Sequence, residues 1–136
     1  MKIDLYEGDT LPVGMREVIS NRLYLRSCDG NGIRFLCSEQ LGNPNRERPL
    51  VQLLAIVRDG ETAIGCGILE NYWREDDSFQ VYVRPRWRRH GIGRMILQAI
   101  CDRKGKASVD FCYYTGTRVS KSFHDHVCGK SHDPGH

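Results

Sequence analysis

No apolar run in this 136-residue chain approaches the roughly 20 residues that cross a bilayer, so no membrane partner is expected. The first residues, MKIDLYEGDT, lack the apolar core of a secretory signal. No internal repeat and no long linker appears. The expectation is one domain over residues 1–136, ending in a flexible polar tail from about 127. A formal net charge of +3 is too small to imply nucleic-acid binding by itself. What the chain has is ordinary for a globular protein: 40% hydrophobic and 27% charged residues, which excludes a disordered or collagen-like chain.

The six cysteines are Cys28, Cys37, Cys66, Cys101, Cys112 and Cys128. An even number suits a secreted disulfide framework. Their scatter, their apolar surroundings and the missing export signal point instead to reduced thiols and a cytoplasmic location.

Periodicity gives an order of elements. Lys2 to Tyr6 alternates as a short edge strand. Thr10, Pro12 and the spacing of Met15, Val18, Ile19, Arg22 and Leu23 predict a helix to about Leu25. Ser27 to Arg48 reads as a loop with at most a short helix. Leu50 to Val57 is a buried strand, Asp59-Gly60 a tight turn, and Thr62 to Glu70 the return strand. Phe79, Val81 and Val83 mark another strand, which Pro85 ends. Ile92, Met95, Ile96, Ala99 and Ile100 form the clearest helical stripe, stopped by Gly105. Ala107 to Tyr113 alternates as a strand, and a helix is expected over about Thr117 to His126. The strand–helix–strand passage from Phe79 to Tyr113 implies a parallel crossover beside an antiparallel hairpin. The fold class is therefore α/β with a mixed sheet.

The chemical signal lies between the strand and the clearest helix. Val83-Arg84-Pro85-Arg86-Trp87-Arg88-Arg89-His90-Gly91-Ile92-Gly93-Arg94 is a basic turn whose two glycines open a helix. The first amides of a helix have no internal partners and carry partial positive charge. Glycines there allow backbone to approach a ligand, and arginines add formal charge. The arrangement predicts a pyrophosphate-sized anion on the amides of Arg89 to Arg94. No Gly-Lys-Ser/Thr follows the glycine pair, and no G-x-G-x-x-G occurs, so Walker and dinucleotide motifs do not apply.

This segment resembles the acetyl-CoA signature of the GNAT family of N-acetyltransferases. Arg88, Arg89, His90, Gly91, Ile92 and Gly93 match its Arg/Gln-x-x-Gly-x-Gly/Ala core. Val83, Pro85 and Trp87 agree before it, and Met95, Ile96 and Leu97 after it. The resemblance covers residues 50–113 well and the rest weakly. It implies a GNAT-like mixed central sheet flanked by helices, with the family's last two strands shortened or missing. It implies an acetyl-CoA-dependent transfer to an amine acceptor, protein or small molecule, with no covalent enzyme intermediate.

By the same resemblance, the pantetheine arm runs along Val81, Tyr82 and Val83. The pyrophosphate sits on Arg88, Arg89, His90, Gly91, Ile92, Gly93 and Arg94, and an amide near Val83 is the oxyanion donor. Glu70 is the first candidate for the base, with Gln80 on the neighbouring strand. Tyr113 or Tyr114 is the candidate acid, because the last helix carries Phe123 and no tyrosine. Glu75, Asp76 and Asp77 either attract a cationic acceptor or form a solvated turn. His124, His126, Cys128 and His132 are zinc-type ligands whose spacing fits no zinc module, so no metal is expected. His124 is also a candidate to act near the thioester. The short C-terminus leaves three readings of the acceptor side: open, completed by a second subunit as a homodimer, or lost. Two alternatives stay beside the enzyme reading. One is a degenerate acyl-CoA-binding or regulatory protein. The other is a small nucleic-acid-binding domain using Arg84, Arg86, Trp87, Arg88 and Arg89.

Overall fold

Two apolar stretches joined by a turn dictate the centre of the molecule. In the computed structural model, which describes residues 1–19, 31–43, 45, 47–72, 76–113 and 118–127, they are β2 (Val51–Asp59) and β3 (Thr62–Glu70). Both are buried on both faces, which is why they read as near-continuous apolar runs rather than alternating ones. Asp59 pairs with Thr62, so the central residues of the turn are Gly60 and Glu61. Only Gly60 has positive φ, at 63°. The turn thus sits one residue later than expected and needs one left-handed position, not two.

Five strands follow the order β1-β2-β3-β4-β5. β1 (Lys2–Glu7), β2, β3 and β4 (Ser78–Val83) pair antiparallel, and β5 (Cys112–Tyr113) joins β4 in parallel. Two cores flank this mixed sheet. On one side, α1 (Met15–Glu17) and α2 (Asn31–Gly42) bury Met15, Ile33, Leu36 and Cys37 against Leu54, Ile56, Cys66, Ile68 and Tyr82. On the other, α3 (Ile92–Lys104) buries Ile92, Ile96, Leu97 and Ile100 against Ala55, Val57, Leu69 and Phe79, with α4 (Arg118–Val127) adding Phe123 and Val127. Each of those α3 side chains contributes on the order of 2 kcal/mol by leaving water.

Three expectations change. The segment expected as a loop is α2, a 12-residue helix whose Ile33, Leu36, Cys37 and Gln40 are buried at helical spacing. Gln40 is tolerated there because its Oε1 accepts the Leu50 N–H at 2.7 Å. The expected strand over Ala107 to Tyr113 shrinks to Cys112–Tyr113. Asp110 accepts the Ala107 N–H at 3.3 Å and closes a 3₁₀ turn over Ser108–Asp110 instead. The first helix is described only at Met15–Glu17, since residues 20–30 lie outside the described set. The helix expected from the clearest stripe is observed, stopped at Gly105 with φ 72°, but its buried face is Ile92, Ile96, Leu97, Ile100 and Cys101, while Met95 is exposed. Among the described residues no strand follows β5, and no helix is long and apolar enough to cross a membrane. Cys37, Cys66, Cys101 and Cys112 are free thiols; Cys28 and Cys128 lie outside the described residues.

Candidate active site

The passage from β4 to α3 is bent by Pro85, the first residue of a 3₁₀ turn over Pro85–Trp87. Arg89 has φ 68° and Gly91 φ 79°, both left-handed, with His90 between them in the ordinary region. Such alternation turns successive amide N–H groups to one side, the geometry of an anion nest. The Gly91 carbonyl accepts the Met95 N–H at 3.0 Å and starts α3. The amides of Ile92, Gly93 and Arg94 lie before any intrahelical acceptor. Arg89, His90 and Arg94 are exposed around them.

The two glycines serve different ends. A Cβ on Gly91 would meet open space, so the backbone there is approachable from outside. A Cβ on Gly93 would come within 2.7 Å of Phe123 Cε1, so Gly93 lets α4 close on α3. Arg88 is likewise spoken for. Its Nε donates to the Val83 carbonyl at 2.8 Å, and its guanidinium lies 5.6 Å from the centre of the Tyr82 ring. It fastens the turn to the strand. Trp87 packs against the α3-side core, with the His90 ring edge-on at 6.3 Å.

Among the described residues, β4 pairs with β5 at Ser78–Cys112 and Phe79–Tyr113. Ladder alternation says which backbone groups of β4 face away from β3. The Arg84 N–H donates to the Ile64 carbonyl at 2.9 Å, so the backbones of Tyr82 and Gln80 face β3 in the same register. Those of Val81 and Val83 face away from β3. Of the three strand residues singled out from sequence, Tyr82 thus differs: its backbone bonds β3 and its ring is buried under Arg88. Arg84 Nε is buried at the strand end and meets no partner.

On the α2 side of the sheet lies Glu70. It is fully buried, not a solvent-facing charge at a strand end. It pairs across strands with Ser78, which in turn pairs with Cys112 of β5. Neither carboxylate oxygen meets a partner at hydrogen-bonding geometry. Burial pushes its pKa from 4.5 up to about 7, only partly offset by the nearby Ser78 hydroxyl and Tyr72 amide. Gln80 shares this face, with Gly32 of α2 lying against its side-chain amide. An exposed aromatic pair, Phe35 and Tyr72, stands edge-to-face at 5.9 Å.

On the α3 side, aromatic rings cluster where β4 pairs with β5. Phe79 is edge-on to Tyr113 at 5.9 Å and lies 6.0 Å from Phe123, and Tyr113 meets the His124 ring at 5.5 Å. The Tyr113 hydroxyl donates to the Ser108 carbonyl at 2.7 Å. His124 Nδ1 lies 3.2 Å from Asp125 Oδ1. Tyr114 lies outside the described residues, as do Cys128 and His132, and no metal-ligand cluster occurs among the described ones. The acidic run divides. Asp76 is exposed and Glu75 lies outside the described residues. Asp77 accepts Gln52 Nε2 at 2.8 Å and Lys106 Nζ at 2.9 Å. Burial alone would raise its pKa, but those bonds and the Lys104 and Lys106 charges hold it below the usual range. Asp77 is a tie between elements, not a lure for cations. Sequence reading passed over Phe123 as a site residue; its only signal was an aromatic on the helix facing the glycine pair.

Comparison with known proteins agrees with this fold. The profile of the acetyltransferase (GNAT) domain matches residues 51–125. No curated protein matches. Among solved structures, a ribosomal-protein-alanine N-acetyltransferase from Brucella melitensis biovar Abortus 2308 superposes with a TM-score of 0.61 at 10% identity, over 93% of this chain and 89% of its own. The aminoglycoside 6'-N-acetyltransferase AAC(6')-IG from Acinetobacter haemolyticus gives 0.56 at 13% identity, over 93% and 89%. AAC(6')-Iy, in complex with the bisubstrate analogue CoA-S-monomethyl-acetylneamine, gives 0.56 at 14%, over 93% and 90%. At such identities the likeness is one of fold.

Proposed function

Because the chain belongs to the acetyltransferase (GNAT) domain family, we propose that it is an acetyl-CoA-dependent N-acetyltransferase acting directly on an amine in a ternary complex. The observation that carries this reading is the turn after β4, in which left-handed Arg89 and Gly91 lead into the free first amides of α3. The Val81 and Val83 backbone groups take the pantetheine amides. The amides from Arg89 to Arg94 take the pyrophosphate, with Gly91 leaving room for it. Arg89 and Arg94 add charge from the exposed side, and Arg88 holds the turn in shape.

Glu70 is the general base in this reading. It is buried on the α2 side of the sheet, and burial pushes its carboxyl up to about 7. The acceptor therefore enters from that side, past Phe35 and Tyr72. As the C–N bond forms and the C–S bond breaks, one amine proton passes to Glu70, which returns it to solvent, and the thiolate takes one proton from solvent, releasing CoA. The Val83 amide, which faces away from β3, is placed to hold the carbonyl oxygen. The similar solved structures are named for acting on a ribosomal-protein alanine and on aminoglycosides, acceptors that present an amine.

A second reading, a CoA-binding protein without turnover, is favoured by the Tyr113 hydroxyl, which is committed to the Ser108 carbonyl. Measuring CoA release from acetyl-CoA with a panel of peptide, polyamine and aminoglycoside amines separates the two. Release that needs both an amine and Glu70 supports the enzyme. Tight acetyl-CoA binding without release under any amine supports the binding protein.

A further inference from the structure

Arg84, half-buried at the end of β4, carries a charge that no described residue answers. Its Nε is sealed from solvent and meets no acceptor. It takes part in none of the ion pairs found among the described residues. The neighbouring arginines behave differently. Arg88 bonds the Val83 carbonyl and lies over the Tyr82 ring, while Arg86 and Arg89 are exposed to water. A guanidinium nitrogen that gives up water without gaining an acceptor costs stability. An orphan of this kind calls for a partner from outside the fold.

The position of Arg84 says which partner. Its N–H donates to the Ile64 carbonyl at 2.9 Å, which keeps it in register with β4. Side chains alternate between the two faces of a strand. Phe79, Val81 and Val83 pack into the α3-side core and Tyr82 into the α2-side core. Ser78, Gln80, Tyr82 and Arg84 therefore share the α2 face. On that face Glu70 pairs with Ser78, and Gly32 of α2 lies against Gln80. Trp87 of the anion-binding turn and the apolar stripe of α3 belong to the opposite face. Arg84 thus stands with the base, not with the amides that take the pyrophosphate.

We propose that Arg84 binds a carboxylate carried by the amine acceptor, so that the acceptor is an amino acid or peptide rather than a polycationic amine. The proposal rests on the acetyltransferase reading above and goes beyond it by naming the charge of the acceptor. A guanidinium matches a carboxylate with two parallel N–H bonds. An acceptor with several ammonium groups brings like charge to an unpaired cation on its own side of the sheet and is selected against.

The test is CoA release from acetyl-CoA by the full chain, with dipeptides to pentapeptides offered both as free acids and as C-terminal amides, and with spermidine and kanamycin as polycations. The expected result is a free acid preferred over its own amide by roughly tenfold in kcat/KM, with the difference in KM. In Arg84→Met that ratio should fall to about one, and Arg84→Lys should restore part of it, because lysine keeps the charge and loses the fork. Acetyl-CoA affinity by calorimetry should stay within about twofold of wild type in both variants. The urea midpoint of Arg84→Met should equal or exceed that of wild type, since the orphan nitrogen is gone. Equal rates for acids and amides overturn the proposal, as do faster transfer to the polycations, a folded Arg84→Met that keeps the ratio, and a lowered urea midpoint. A tenfold loss of acetyl-CoA affinity would assign Arg84 to the phosphates of the thioester and overturn it as well. No release with any amine would instead overturn the enzyme reading itself, and the proposal with it.

Discussion

Replacing Glu70 by Gln gives a stability signature that can be worked out beforehand. The carboxyl is fully buried, the Ser78 hydroxyl and Tyr72 amide offset that burial only in part, and its pKa rises from 4.5 to about 7. The protonated form is the one the fold tolerates. Its stabilising contribution is therefore fully present below about pH 4.5 and is lost as pH rises through about 7. The gap between those values corresponds to about 3 kcal/mol, of which about 2 to 3 kcal/mol falls between pH 5 and pH 8. Glutamine does not titrate, and every other ionisable group is common to both proteins. The difference in urea-unfolding free energy should thus swing toward Glu70→Gln by about 2 to 3 kcal/mol between those pH values. In thermal scans the swing is roughly 10 °C for a chain of this size. A swing below about 0.5 kcal/mol would refute the reasoning, because Glu70 would then titrate like a solvated carboxylate. The same substitution should lower kcat by at least about a hundredfold and remove a rise in rate centred near pH 7.

Other substitutions test the scaffold. Gly67 lies against Ile96 of α3, with no room for a Cβ; Gly67→Ala should cost about 1 to 3 kcal/mol in urea unfolding, and Ile96→Val should recover part of it. Asp77→Ala should cost about 2 kcal/mol at neutral pH by removing the bonds from Gln52 and Lys106. Because the Asp77 pKa is held low, that contribution is present above the ordinary carboxylate range and fades as pH falls through the folded value, so wild type and variant should converge in acid. Arg88→Ala should weaken acetyl-CoA binding about tenfold in calorimetry, and Arg88→Lys should not restore it, since lysine has no group matching the Nε bond to Val83.

The α3 helix and the turn before it were legible because their signals are local. A 3.6-residue apolar stripe, a left-handed Gly105 and a glycine pair after a proline each mean one thing. The α2 helix was hidden by two glycines and a polar start, with a glutamine on its buried face. The strand expected over Ala107 to Tyr113 failed because alternation cannot see the Asp110 carboxylate folding back on Ala107. In the candidate site, residue types were readable and their surroundings were not. A strand-end glutamate is buried or solvated according to what packs over it, and Glu70 is buried. Gly93 looked like a glycine for phosphate; its tight neighbour is Phe123, 30 residues away in sequence. The glycines of Gly65-Cys66-Gly67 were the available sign that a helix would press on that strand.

The central claim is that the turn from Arg89 to Arg94 holds the pyrophosphate of an acyl-CoA. Gly91→Glu tests it most directly, because a side chain there meets open space and its left-handed backbone costs only about 1 to 2 kcal/mol. Titrating acetyl-CoA into wild type and Gly91→Glu should give one saturable site for wild type and a loss of at least about a hundredfold in affinity for the folded variant. Equal affinity in the two proteins would contradict the account.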